Sequence, residues 1–220
     1  MTTLIIARHG NTFENGQTPT RVGARTDLPL VDKGREQARA LGQYLKARNL
    51  MPDVCYCSTL KRTKETAQIA LKEAGLSLPP YPLDIFDEID YGPDENKPEA
   101  DVVARLGQAA IDDWDKNAVV PDGWLVEPEQ IIENWRGFAD SLTKTHDTVT
   151  NRVLDVSETI LVVTSNGIAR FAPHITGDFD GFSQKFSIKL KTGSLGILRH
   201  TGDKWVAEGW NIVPLLEKTL

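Results

Sequence analysis

The chain opens on a fully apolar run, Leu4-Ile5-Ile6-Ala7, that stops at Arg8-His9-Gly10. A run this short and this uniformly apolar, closed by a turn, predicts a strand buried on both faces of a parallel sheet. Residues 11–32 contain Gly16, Pro19, Gly23 and Pro29 and read as irregular. From Gly34 to Asn49 the apolar positions Ala38, Leu41 and Leu45 fall at helical spacing, with Asp32 expected as the N-cap and Gly42 as an interior weak spot. Val54 to Cys57 predicts a second strand. Ser58-Thr59 then opens a helix from Lys61 to about Ala74, stopped by Gly75.

Pro79, Pro80, Pro82, Pro93 and Pro98 break up residues 76–100, which read as a strand followed by a long surface loop. Helices are expected near 100–114 and 128–145, on either side of the breaker-rich 117–127. Thr159 to Thr164 is the most β-like run in the chain; it ends at Ser165-Asn166-Gly167, with a helix expected after it. Lys185–Leu190, Gly196–Arg199 and Trp205–Trp210 read as closing strands, the last two joined through Thr201-Gly202-Asp203. Strands alternating with helices imply a three-layer α/β/α sandwich with a mostly parallel sheet and an antiparallel edge strand. Ligands of such sheets sit beyond the carboxyl ends of the strands. The polar strand ends Arg8-His9-Gly10, Ser58 through Arg62 and Ser165-Asn166-Gly167 are therefore expected to share one pocket.

With 220 residues, 40% hydrophobic and 25% charged, the chain is neither disordered, collagenous nor a coiled coil. A net charge of −6 argues against a general nucleic-acid or anionic-membrane partner. No apolar stretch approaches the roughly 18–20 residues of a membrane span. The first residues lack the basic segment of a signal peptide, and Cys55 and Cys57 sit two apart on one strand in poor disulfide geometry, so a cytoplasmic location is expected. The charge is unevenly spread. Residues 1–62 hold ten basic and five acidic side chains, whereas residues 84–133 hold three and fifteen. An anionic small molecule finds its counter-charges in the N-terminal part.

An apolar strand that delivers Arg-His-Gly, with a second arginine at a later strand-to-helix junction, suits phosphoryl chemistry. Guanidinium groups bind phosphate oxygens bidentately, and a neutral imidazole can attack phosphorus. Four segments, Leu4 through Thr12, Arg21 through Asp27, Leu30 through Ala38 and Cys57 through Ala67, resemble in order those of the histidine phosphatase superfamily, the phosphoglycerate-mutase-like proteins. The resemblance covers nearly the whole chain. It implies one domain over residues 1–220, with an inserted acidic loop and helical region around 84–145. It also implies that His9 is the nucleophile, that Arg8 and Arg62 clamp the phosphoryl oxygens, and that Glu88, followed by Tyr91-Gly92, is the proton donor to the leaving oxygen. Asn15 and Arg21 are candidate phosphate contacts, against the plainer reading of both as turn residues. Asp87 and Asp90 compete with Glu88 in the same acidic stretch. No metal or cofactor is implied. The partner expected is a small phosphorylated substrate, with oligomeric state left open.

One motif departs from the family pattern. Where the family reads Ser-His-Gly-Gly, this chain reads Thr164-Ser165-Asn166-Gly167-Ile168-Ala169-Arg170, which puts Ser165 at the second histidine. Ser165 and Asn166 remain candidate phosphate ligands, but neither carries charge, and losing a transition-state donor commonly costs ~10²–10³ in rate. His174, His146 and His200 lie in contexts that do not suit a replacement. Three readings follow. The first is a phosphomonoester phosphatase working through phosphohistidine. A non-catalytic phosphate-binding module of the same fold is favoured by Ser165 and opposed by Glu88. A phosphoglycerate mutase is disfavoured, because Ile89-Asp90 replaces the Arg-His that precedes Tyr-Gly in true mutases and Asp90 would repel a substrate carboxylate. Residues 92–127, where specificity would lie, match no pattern.

Overall fold

The apolar N-terminal run becomes the middle of a sheet. In the computed structural model, which describes residues 1–143 and 158–216, β1 (Thr3–Arg8) lies between β4 (Thr159–Thr164), which it pairs in parallel, and β5 (Leu195–His200), which runs antiparallel to it. Beyond β4 come β2 (Val54–Cys57) and the short β3 (Pro80–Pro82), both parallel; beyond β5 comes β6 (Trp205–Ile212), antiparallel. Two prolines in β3 are tolerated because that strand is an edge.

Alternation along the buried strands feeds two cores. Ile5 and Ala7, Cys55 and Cys57, and Leu161 and Val163 face α1 (Asp32–Ala47) and α2 (Lys61–Ala74). Leu4 and Ile6, Val54 and Tyr56, and Ile160 and Val162 face the other layer, built largely from α4 (Gln108–Asn117), α5 (Pro128–Leu142) and the C-terminal segments. The result is the three-layer sandwich the alternation predicts, with two antiparallel strands closing one side. Cys55 and Cys57 are free and buried, and burial pushes both thiols upward.

Several elements differ from the sequence reading. The helix expected over 100–114 is two, α3 (Glu99–Leu106) and α4, which turn at Gly107 with φ of 83°. Asp32 does not cap α1; Val31 stands at that position and the Asp32 carboxylate accepts from Arg35 instead. Residues 144 and 145 of the helix expected to reach 145 lie outside the described residues. Lys185 ends α7 (Phe179–Lys185), and the expected strand to Leu190 does not form. The backbone of that segment is extended but bonds to side chains: the Leu190 N–H donates to Asn166 Oδ1 at 2.8 Å and its carbonyl accepts from Arg8 Nη1 at 2.7 Å.

Gly42 is not a weak spot but the point where α1 touches α2. A Cβ there would lie 2.3 Å from the Ala70 carbonyl oxygen and 2.7 Å from Glu73 Cβ. Although alanine has the higher helix propensity, Gly42→Ala is expected to lower stability by about 1–3 kcal/mol through overpacking, read as a shift in the urea midpoint at unchanged slope.

Candidate active site

Three strand ends and one loop build the site. His9 follows β1, and its N–H donates to the Thr164 carbonyl at the end of β4, which holds the two strand ends in step. The imidazole is 5% exposed, and Nδ1 lies 2.7 Å from the Gly10 carbonyl oxygen. A carbonyl only accepts, so Nδ1 carries the proton and Nε2 keeps its lone pair. Burial, then the nearby Arg62 and Arg8, hold His9 well below its ordinary pKa, so the ring is neutral.

Arg8 donates through Nη1 to the Leu190 carbonyl. Arg62, at the start of α2, is fully buried, and its guanidinium donates to the carbonyls of Thr26 at 2.9 Å, Gly23 at 3.3 Å and Val22 at 3.4 Å. The Nε of both arginines is buried without a partner among the described residues, and burial lowers both pKa values. That cradle of carbonyls is itself held. Glu95 Oε1 accepts from Gly23 N, Arg25 N and Thr26 Oγ1 at 2.7–3.1 Å, while Oε2 accepts from Tyr91 N at 3.2 Å.

Glu88 is 6% exposed. Its carboxylate accepts from Ile89 N at 3.0 Å and Gly167 N at 3.3 Å. Burial raises its pKa, and the Arg62 charge and these two N–H groups only partly oppose the rise. Gly167 permits the approach: a Cβ there would sit 2.2 Å from Glu88 Oε1. The competing carboxylates are spent elsewhere, Asp87 on Thr59 N and Oγ1, and Asp90 on Arg25 at 2.9 Å.

These groups surround a cavity of about 590 Å³, whose walls include Arg8, His9, Asn15, Arg21, Glu88 and Asn166. Arg62 lies behind its floor. Ser165 does too: it is fully buried and its Oγ has no partner among the described residues. Its backbone is extended, so adjacent side chains point to opposite sides, and it is Asn166, opening the one-turn α6 (Asn166–Ala169), that faces the cavity. The Leu190 N–H fixes Asn166 Oδ1 as its acceptor, and the Nδ2 donors have no partner among the described residues. Asn15 is exposed at the rim, and Arg21 is bound to Glu99 at 2.6 Å.

A sequence model of the histidine phosphatase superfamily, branch 1, matches residues 4–213. The chain belongs to that superfamily. Among its relatives, an uncharacterized phosphatase, PhoE, of Bacillus subtilis is 28% identical over 96% of this chain and 95% of its own length. A 2,3-bisphosphoglycerate-dependent phosphoglycerate mutase of Arthrobacter is 34% identical over 64% of this chain and 58% of its own length. The chain thus spans little more than half the length of the curated mutases it matches. A mycobacterial glucosyl-3-phosphoglycerate phosphatase shares the fold, with a TM-score of 0.73 at 18% identity over 96% of this chain and 98% of its own. No described helix is long and apolar enough to cross a membrane.

Within this histidine phosphatase fold, Arg170, Lys189 and Asp115 are among the cavity residues that the sequence reading misses. Arg170 is 1% exposed, and burial lowers its pKa to about 10. It lies over Trp114 at 3.9 Å and donates to the Trp114 carbonyl. Lys189, in the segment read as a strand, pairs with Asp115 at 2.6 Å. Their partners are tens of residues distant in sequence, and no local pattern announces them. The other histidines are elsewhere: His174 stacks on Phe179 at 3.8 Å, His200 packs against Trp205, and His146 lies outside the described residues.

Glu95 joins the Arg62 cradle to the Glu88 segment, and an amide cannot accept from all four donors. Glu95→Gln is expected to weaken binding of inorganic phosphate by about tenfold, equivalent to about 1.4 kcal/mol, as measured by calorimetric titration.

Proposed function

We propose that the protein is a phosphomonoester phosphatase that works through a phosphohistidine on His9. The observation that carries this reading is the pairing of a buried, neutral imidazole whose Nε2 keeps its lone pair with a buried carboxyl group whose pKa is raised, at one cavity with Arg8 and with Arg62 behind it. In the first step Nε2 attacks phosphorus, the P–O bond to the leaving group breaks, and Glu88 gives its proton to the leaving oxygen. In the second, Glu88 takes a proton from a water that attacks the phosphohistidine, releasing phosphate and restoring Nε2. Arg8 and the Asn166 Nδ2 donors hold the phosphoryl oxygens, and Arg62, behind the floor, adds its charge; the Arg8 Nε, without a partner among the described residues, is a charged donor for an anion. Arg21 and Asn15 border the approach. No step requires a metal.

A non-catalytic binding module is the second reading, and the neutral Asn166 amide is what favours it. Binding alone, however, gives no use for a buried carboxyl group at the cavity whose pKa burial raises.

The test is hydrolysis of p-nitrophenyl phosphate by the intact chain, His9→Ala and Asn166→His. His9→Ala is expected to lose turnover and acid-labile phosphohistidine together, and a His9→Ala protein as active as the native chain would overturn the mechanism. Asn166→His restores a chargeable donor at the cavity and is expected to raise kcat toward the ~10²–10³ that one such donor supplies, whereas Ser165→His is not.

The pKa directions set the pH profile. His9 must be neutral, and its lowered pKa moves the acid limb of kcat/KM below the ordinary histidine value of about 6.5. Glu88 must be protonated, and its raised pKa moves the alkaline limb above the usual carboxylate range. A bell with those limbs is expected for the native chain, with the alkaline limb missing in Glu88→Gln.

A further inference from the structure

Above the phosphoryl floor the cavity is far larger than a phosphate needs, and its remaining charges come already matched. Arg21 is bound to Glu99 at 2.6 Å on one wall. Also lining the cavity, Lys189 is bound to Asp115 at 2.6 Å, and Arg170 reaches the same carboxylate at 3.8 Å while donating to the carbonyls of Trp114 and Asn166. Tyr91, Trp124 and Trp114 pile edge to face at 4.7 and 5.3 Å, with Arg21 lying 5.0 Å from the Trp124 ring centre and Arg170 lying over Trp114.

We infer that the substrate's leaving group is neutral and polyhydroxylated, a sugar or polyol, held between the Arg21–Glu99 and Lys189–Asp115 pairs. The inference rests on the phosphatase reading and names its substrate class. Arg8 and Arg62 together match the two charges of a phosphomonoester. A carboxylate or second phosphate on the leaving group would then meet Glu99 or Asp115, with Glu14 as a third carboxylate at the rim, and no cation left without a partner carboxylate. An apolar leaving group would strip water from these ion pairs without replacing its hydrogen bonds. A hydroxyl both donates and accepts, so vicinal hydroxyls fit beside a cation and a carboxylate held side by side. Asn11, Thr12 and Asn15, which also line the cavity, have side chains bonded to no protein group among the described residues, and they add donors and acceptors without charge.

The experiment compares kcat/KM of the intact chain for three esters built on the same three-carbon frame: glycerol 3-phosphate, 3-phosphoglycerate, which replaces a hydroxymethyl by a carboxylate, and n-propyl phosphate, which lacks both hydroxyls. p-Nitrophenyl phosphate serves as the control for the phosphoryl floor. Glycerol 3-phosphate is expected to exceed each of the other two by about tenfold or more. Asp115→Asn, at a partly exposed position, leaves Lys189 and Arg170 unopposed and is expected to move the ratio about tenfold toward 3-phosphoglycerate; Lys189→Met moves it the other way. Turnover of p-nitrophenyl phosphate with 3-phosphoglycerate preferred, with n-propyl phosphate equal to glycerol 3-phosphate, or with a ratio that ignores Asp115→Asn overturns the inference alone. No turnover of any ester removes the phosphatase reading and the inference with it.

Discussion

The guanidinium of Arg62, fully buried, meets only the carbonyls of Val22, Gly23 and Thr26, and among the described residues it forms no ion pair. A charge enclosed without a counter-ion is costly, and carbonyl dipoles offset that cost only while they stay aimed at it. Much of the surrounding architecture keeps them aimed. Glu95 ties the carbonyl loop to the Tyr91 segment, and the Ala24 N–H donates to the Ile89 carbonyl, so the loop that cradles the arginine and the segment that carries Glu88 move as one. The same charge, with Arg8, helps to hold His9 neutral, while burial raises the pKa of Glu88 against the pull of Arg62. Nucleophile, acid and anion clamp are one electrostatic unit.

What was legible in the sequence was what is local. The run Leu4–Ala7 and its closing Arg-His-Gly identify a central strand and the residue at its end, because burial on both faces and a turn leave their marks on adjacent residues. Glu88 was found by its spacing to Tyr91-Gly92, and in the structure it, not Asp87 or Asp90, borders the cavity. The sequence reading puts Ser165 at the second histidine, whereas it is Asn166 that lines the cavity and Ser165 is buried behind it: which of two neighbours faces a cavity at a strand-to-helix turn is decided by backbone angles. The segment ending at Leu190 has the composition of a strand, yet its N–H and carbonyl are claimed by Asn166 and Arg8, side chains that lie 24 and 182 residues away. Glu95, Asp115 and Arg170 act through contacts of the same long-range kind.

The acidic stretch reads differently once placed. Several of its carboxylates are not simply solvated: Asp87, Asp90, Asp94 and Glu95 each hold a loop or an arginine, and Glu99 and Asp115 reach the cavity as partners of basic residues.

The position of β1 has a consequence for how the chain comes into being. Both of its sheet neighbours, β4 and β5, are drawn from the last third of the sequence. A polypeptide emerging from the ribosome therefore carries this buried strand without any sheet neighbour until Thr164 has been made and without its second until His200, at an elongation rate of roughly 5–20 residues per second. The helical hairpin of α1 and α2 can form early, but the strand it is meant to cover has no partner to lie against. The interval before β5 arrives is the period in which this molecule is most exposed to aggregation and most dependent on chaperones.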